Sequence, residues 1–318
     1  MKQTPLFLSA PLHEKIWGGD HLKDYGFDLP NDKIGEAWIV SAHDHGASTI
    51  QNGDLKGKSL VEVWEANPEL FGGHPKGQAF PLLVKILDAN KDLSIQVHPD
   101  DTYAREHGEK YGKTESWYIL SAKPDAKLYF GHTAQTKSEF QTAIDQGHLD
   151  EKLRTIPVKA GEFYYVPAGT LHALGAGIVA LETQQSSDMT FRFYDFDRVD
   201  EKTGQKRDLQ IEQALDVTKI PHVDYHNETS TKLVENGQIT NLVDEKYFAV
   251  NKLSIKGISH LENVAPYQIM TVIEGSGSLI VNDEKYSIEK GMSWILPNSI
   301  QNYELAGTMT LIASHENR

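Results

Sequence analysis

Apolar residues along this chain gather mostly in short β-rich runs cut by Gly, Pro, Asn and Asp. SWYILSA (116–122), AKLYFGH (126–132), GEFYYVPAG (161–169), GIVALET (177–183), MTFRFYDF (189–196), YFAVNKLSI (247–255), YQIMTVIEG (267–275), GSLIVND (277–283) and GMSWILP (291–297) all read as strands. Helical periodicity is scarce. Residues 58–70 place Leu60, Val63, Trp64 and Leu70 near one helical face. Residues 136–153 predict one or two short helices with Phe140, Ile144, Leu149 and Leu153 as the stripe. Residues 208–220 predict another, with Leu209, Ile211, Ala214 and Leu215 inward. Many short strands at regular spacing predict a sandwich or barrel rather than a doubly wound sheet. An internal echo points to two copies of one β unit: KAGEFYYVP (159–167) and KGMSWILP (290–297) both run Lys, Gly, five residues, Pro. The polar segment 222–238 reads as the linker between the copies.

Length sharpens this picture: 318 residues are enough for about two domains, each able to bury a core. With 31 Lys+Arg against 45 Asp+Glu the net charge is −14, which argues against nucleic acid or an anionic membrane as partner. Cysteine is absent, so disulfides, thiolate nucleophiles and Cys-type zinc sites are excluded. Any metal must be held by His, Asp, Glu or Gln. The N-terminal segment MKQTPLFLSAPLHEK is interrupted by Pro5, Pro11, His13 and Glu14 and has no signal-peptide apolar region. The longest apolar run, Phe80 to Leu87, contains Lys85 and is too short to cross a bilayer. A cytoplasmic location is expected.

The densest chemistry lies in SIQVHPDD (94–101). Gln96 and His98, two apart, share one face of a strand that Pro99 ends. Glu115, two residues after Lys113, precedes an apolar strand, and His172 follows a Pro-Ala-Gly turn. Together Gln96, His98, Glu115 and His172 would make a mixed nitrogen and oxygen set for a divalent cation such as zinc. Each alone could equally be a hydrogen-bonded histidine or an ordinary polar residue. Trp17, in a Gly-flanked segment after Lys15, reads as a sugar-pocket wall or as core. The run YDFDR (194–198) reads as a solvated strand face, and Gly275-Ser276-Gly277 as a β-turn.

Gly161, five residues, Pro167, Ala168, Gly169, two residues, His172 has the form of the second cupin motif. With QVHPD, GKTESWY and PAGTLHALGAG, the chain resembles the type I mannose-6-phosphate isomerase (phosphomannose isomerase) family in its short bacterial form. KIWGG (15–19), GEAWIVSAH (35–43), FPLLVKIL (80–87) and LETQQSSDMTFR (181–192) resemble further family blocks in the family's order. The resemblance implies a mainly β protein of two cupin-type jelly-roll sandwich domains with added short helices. A catalytic cupin domain with small helical insertions is expected over 1–225 and a metal-free cupin-like domain over 235–318, since no histidine follows Pro297 at the matching place.

The resemblance also implies roles. One zinc per chain would be held by Gln96, His98, Glu115 and His172. Arg192, four residues after Asp188, falls on the family's active-site arginine, and Glu182 is the carboxylate ten residues before it. Lys113 and Glu182 are candidates for acid/base work. Lys113, set between a cation and Arg192, would be a usable base near neutrality. Lys85, Lys113 and Arg192, with Lys15 weaker, are candidates for a substrate phosphate. The implied reaction interconverts mannose 6-phosphate and fructose 6-phosphate through an enediol. A non-catalytic sugar-phosphate-binding cupin is the alternative, and an iron-dependent cupin oxygenase ranks behind both. The partner is a small sugar phosphate, with no nucleic acid and no membrane expected, and the oligomeric state stays open.

Overall fold

In a computed structural model of the chain, residues 4–226 and 228–317 are described. Met1–Gln3 of the N-terminal segment, Asn227 of the expected linker and Arg318 of the C-terminal unit lie outside the described residues. The expected strands all form, and they assemble into antiparallel sheets.

A six-stranded sheet runs Phe163–Val166, Glu115–Ala122, Ile178–Gln185, Leu82–Ala89, Ile34–Val40, Leu12–Gly19. A five-stranded sheet runs Leu153–Pro157, Lys127–His132, His172–Leu174, Ile95–Val97, Phe191–Tyr194. The two share one core, in which Leu87, Trp117, Ile119 and Ala180 of the first meet Val97, Leu128, Phe130 and Leu174 of the second. Alternation along each strand sends the other set, Val84, Ile86, Tyr118 and Leu181, to the opposite face. There they join Trp64 and Phe71 and residues of a third sheet, Phe248, Ile269 and Ile295. The six-stranded sheet is thus buried on both faces, which is why Leu82–Ala89 and Ile34–Val40 carry few polar residues. The few they do carry are informative.

The third sheet holds the C-terminal strands, among them Phe248–Glu262, Gln268–Val281 and Asn302–Glu316, and it also recruits Leu6–Ser9 and Thr49–Ile50 from the N-terminal region. The segment expected to be a linker is partly a hairpin: Ser230–Val234 pairs with Gly237–Asp244. Glu235 and Asn236, the latter at φ 53°, form the two-residue turn between the paired Val234 and Gly237. Gly275 and Gly277 do not make a turn. They lie inside the continuous strand Gln268–Val281 because Asn302–Glu316 passes so close that a Cβ on Gly277 would sit 2.3 Å from the Ala306 carbonyl oxygen. Asn282 and Asp283, both at positive φ, make the turn instead.

The helices are short. Leu60–Ala66 is capped by Ser59 and Glu62 in a reciprocal box and buries Leu60, Val63 and Trp64. Lys137–Asp145 and Ile211–Val217 fill the other two expected places, although Leu209 is 46% exposed rather than inward because the helix begins after it. Asp101–Glu106 was not expected; Asp100 caps it by accepting from the Thr102 and Tyr103 amides.

Candidate active site and metal centre

Between the six- and five-stranded sheets, buried polar side chains replace the apolar core. Ile95–Val97 lies between Phe191–Tyr194 and His172–Leu174, with Gln96 directly opposite both Arg192 and His172. From the facing sheet, Glu115 starts its strand opposite Gln184. His98, Glu115 and His172 meet with their ligand atoms all within 4.8 Å of one another, and all three are buried. Glu115 Oε1 is 3.1 Å from His172 Nε2 and Oε2 is 3.4 Å from His98 Nε2. The Gln96 amide nitrogen stands 3.4 and 3.5 Å from the same two ring nitrogens.

The chemistry of this donor set fits a cation. Nδ1 of His98 donates to the Met189 carbonyl at 2.9 Å, and Nδ1 of His172 donates to the Thr170 carbonyl at 2.8 Å. These bonds leave both Nε2 lone pairs aimed at the cluster, the second-layer arrangement that orients metal-binding histidines. Glu115 Oε1 is buried with no hydrogen-bond donor. Lys113 Nζ lies 2.6 Å from Glu115 Oε2 and 2.8 Å from His98 Nε2. Burial, reinforced by the Lys113 ammonium, pushes the His98 imidazole down to about 3, so it stays neutral. Burial alone would raise the Glu115 carboxyl, but Lys113 and the two imidazoles outweigh it and hold it well below the ordinary range.

A cleft with about 490 Å³ of empty space opens beside the cluster. Lys15, Trp17, Lys85, Gln96, Lys113, Glu182 and Arg192 all line it, so the structure brings these expected residues together around the metal-binding group. Trp17 lines the cleft and, 4% exposed, also belongs to the core. Arg192 forms no ion pair among the described residues, and its buried Nε has no acceptor. Burial and then the neighbouring Arg207 lower the affinity of its guanidinium for the proton. Lys85, by contrast, is committed to two carboxylates, 3.5 Å from Glu182 and 3.7 Å from Glu36. Burial and then the Glu115 charge raise the Glu182 carboxyl, opposed by Lys85 and Lys113.

Glu36 and Arg207 belong to the site beyond the residues expected from the sequence, and Asp195 differs from its expected place on a solvated face. Glu36 is an acid inside the apolar strand Ile34–Val40, the same signal that marks Glu182. It accepts from Trp38 Nε1 at 2.6 Å and faces Lys15 at 3.1 Å. Arg207 lines the cleft from a polar loop that carries no periodic signal. The YDFDR run is not a solvated face: the strand stops at Tyr194, and Asp195, 4% exposed, binds both Arg198 and Arg207. Of the two aspartates only Asp197 is at the surface, paired with Lys206.

Comparison with known proteins identifies the family. Residues 6–144 match the type I phosphomannose isomerase catalytic domain and residues 238–316 the mannose-6-phosphate isomerase cupin domain. A mannose-6-phosphate isomerase of Streptococcus mutans is 48% identical over 98% of both chains. The chain belongs to the type I mannose-6-phosphate isomerase family. A crystal structure of the mannose 6-phosphate isomerase from Bacillus subtilis superposes with a TM-score of 0.96 at 46% identity, covering 98% of this chain and all of that one. A more distant mannose 6-phosphate isomerase, solved with zinc and yttrium, shares the fold with a TM-score of 0.75 at 16% identity, covering 99% of this chain and all of that one. For a type I mannose-6-phosphate isomerase, the mainly β architecture and the buried His, Glu, His group are what the family motifs lead one to look for.

Proposed function

We propose that the chain is a zinc-dependent isomerase that interconverts mannose 6-phosphate and fructose 6-phosphate. The observation that carries this reading is the His98, Glu115, His172 cluster touching Gln96 and Lys113, which line a cleft shared with Glu182 and Arg192, in a chain of this family. Gln96, His98, Glu115 and His172 would hold one zinc. When bound, the ion supplies polarisation of the substrate oxygens on C1 and C2.

The reaction moves a proton from C2 of the aldose to C1 of the ketose, with the matching hydroxyl and carbonyl exchanging places. Glu182 and Lys113 are the two groups in the cleft suited to carry that proton. The raised Glu182 carboxyl brings its proton affinity closer to the working range of a general base. The phosphate belongs on the guanidinium side. Arg192 has an unpartnered donor there, and beside it Arg207 shares its one ion-pair partner among the described residues, Asp195, with Arg198. The division into a catalytic unit over 1–225 and a metal-free cupin-like unit over 235–318 belongs to the same proposal. So does a cytoplasmic location. No helix among the described residues is long and apolar enough to cross a membrane.

Metal analysis and a coupled assay on purified protein test the proposal. One zinc per chain and turnover of mannose 6-phosphate are expected. Full zinc loading with no turnover would overturn it and leave the reading of a sugar-phosphate-binding cupin.

A further inference from the structure

Lys85 sits in the middle of the six-stranded sheet and is 3% exposed. Strand register places it directly opposite Glu182, and places Trp117 opposite Glu182 on the other side. The three side chains therefore share one face at one level of the sheet. Glu182 Oε2 accepts from Trp117 Nε1 at 2.8 Å, while Oε1 faces Lys85 Nζ at 3.5 Å. Behind Lys85, Glu36 Oε2 stands 3.7 Å from the same ammonium, and Trp38 presents its ring 5.1 Å away. Glu36 is itself anchored, by Trp38 Nε1 at 2.6 Å and by Lys15 at 3.1 Å. The result is a ladder of alternating charge, Lys15, Glu36, Lys85, Glu182, laid across rigid strands and ending in the cleft.

Such an arrangement does not suit an anion anchor. The Lys85 charge is already matched by two buried carboxylates, so a phosphate dianion at Nζ would meet Glu36 and Glu182 at short range. It suits an orienting group well. With each oxygen held from a different neighbouring strand, the Glu182 carboxylate cannot swing about its last torsion, and its Oε1 edge stays turned to the cleft. We propose that Lys85, backed by Glu36, is a positioning residue that serves proton transfer through Glu182 and does not bind the substrate phosphate. This rests on the isomerase reading above.

The experiment measures kcat and KM for mannose 6-phosphate, and binding of inorganic phosphate by calorimetry, on zinc-loaded wild type, Lys85→Met, Glu182→Gln and the double variant. Lys85→Met is expected to lower kcat about 10- to 100-fold, part of what a general acid or base contributes, with KM and phosphate affinity within about threefold. Adding Lys85→Met to Glu182→Gln should cost nothing more, because both act at one group. Glu36→Gln combined with Lys85→Met restores charge balance where Lys85→Met alone folds poorly, and should show the same split between kcat and KM. A drop in phosphate affinity of about tenfold with kcat retained, or additive losses in the double variant, would overturn the proposal. Wild-type protein that binds zinc but does not turn over mannose 6-phosphate would instead sink the isomerase reading. The phosphate binding of Lys85→Met then still decides whether Lys85 is an anion anchor.

Discussion

Arg192→Met separates a functional arginine from a structural one. The guanidinium is largely buried, makes no ion pair among the described residues and has an Nε without an acceptor. An unsatisfied buried donor costs roughly 1–3 kcal/mol, so replacing it with an apolar side chain of similar length should leave folding stability unchanged or raise it by up to about 2 kcal/mol. Substrate binding should suffer the opposite way. Two charge-assisted hydrogen bonds to a phosphate, each about 1.5–3 kcal/mol, amount to roughly 10²- to 10⁴-fold in kcat/KM. Urea unfolding of zinc-loaded protein and steady-state kinetics give the two numbers. A stability loss above about 2 kcal/mol would show that Arg192 holds the fold together. A kcat/KM within about threefold of wild type would show that it does not touch substrate.

His172→Ala removes one of the two imidazoles of the cluster and should lose zinc and turnover together; retained zinc with normal rates would refute the ligand assignment. Acidification should destabilise the metal-free protein. His98 is pushed down from 6.5 to about 3, so in that window the unfolded chain binds a proton that the folded one refuses, and stability present above about pH 6.5 is lost as the pH falls. Glu36 and Glu115, both held below their ordinary 4.5, act in the same direction further down, and a urea midpoint unchanged between about pH 7 and pH 5 would contradict the His98 environment. Gly291→Ala should destabilise by more than about 2 kcal/mol, since a Cβ there would lie 1.7 Å from the Tyr25 carbonyl oxygen at φ 90°. Gly57→Ala, at φ 88° with open space around it, should cost only about 1 kcal/mol, and equal losses at the two positions would refute the steric account.

Strand runs such as GIVALET and SWYILSA were legible because two-faced burial leaves little room for polar residues, and the exceptions stood out. Glu182 was noticed for that reason. Glu36 carries the same signal but enters the sequence reading only as part of the family-like block GEAWIVSAH. The metal cluster was legible in part: Gln96 and His98 share a strand face by spacing alone, whereas His172 joins them only through the pairing of two distant strands. Arg207 and Asp195 were beyond such reasoning. Their roles depend on a loop folding back so that Asp195 receives Arg198 and Arg207, a contact with no period in the sequence. Gly275 and Gly277 misled because glycine marks close approach of strands as readily as a turn.

The acidic chain nevertheless builds a place for an anion, and it does so by unequal pairing rather than by surplus cations. On the metal side of the cleft, Lys15, Lys85 and Lys113 each have a carboxylate partner, Glu36, Glu182 or Glu115. On the other side Arg192 has none among the described residues, and Arg207 shares Asp195 with Arg198. Of these guanidiniums Arg192 and Arg207 line the cleft, together with the carboxylate of Asp188, so the positive charge offered to an anion there centres on Arg192. A net charge of −14 over the whole chain repels polyanions from the surface, yet at this range it is screened within about 8–10 Å at ordinary ionic strength. Local pairing rather than global charge governs this cleft, and under the proposed function the ligand would lie with its charged end at Arg192 and its reacting carbons near Glu182 and Lys113.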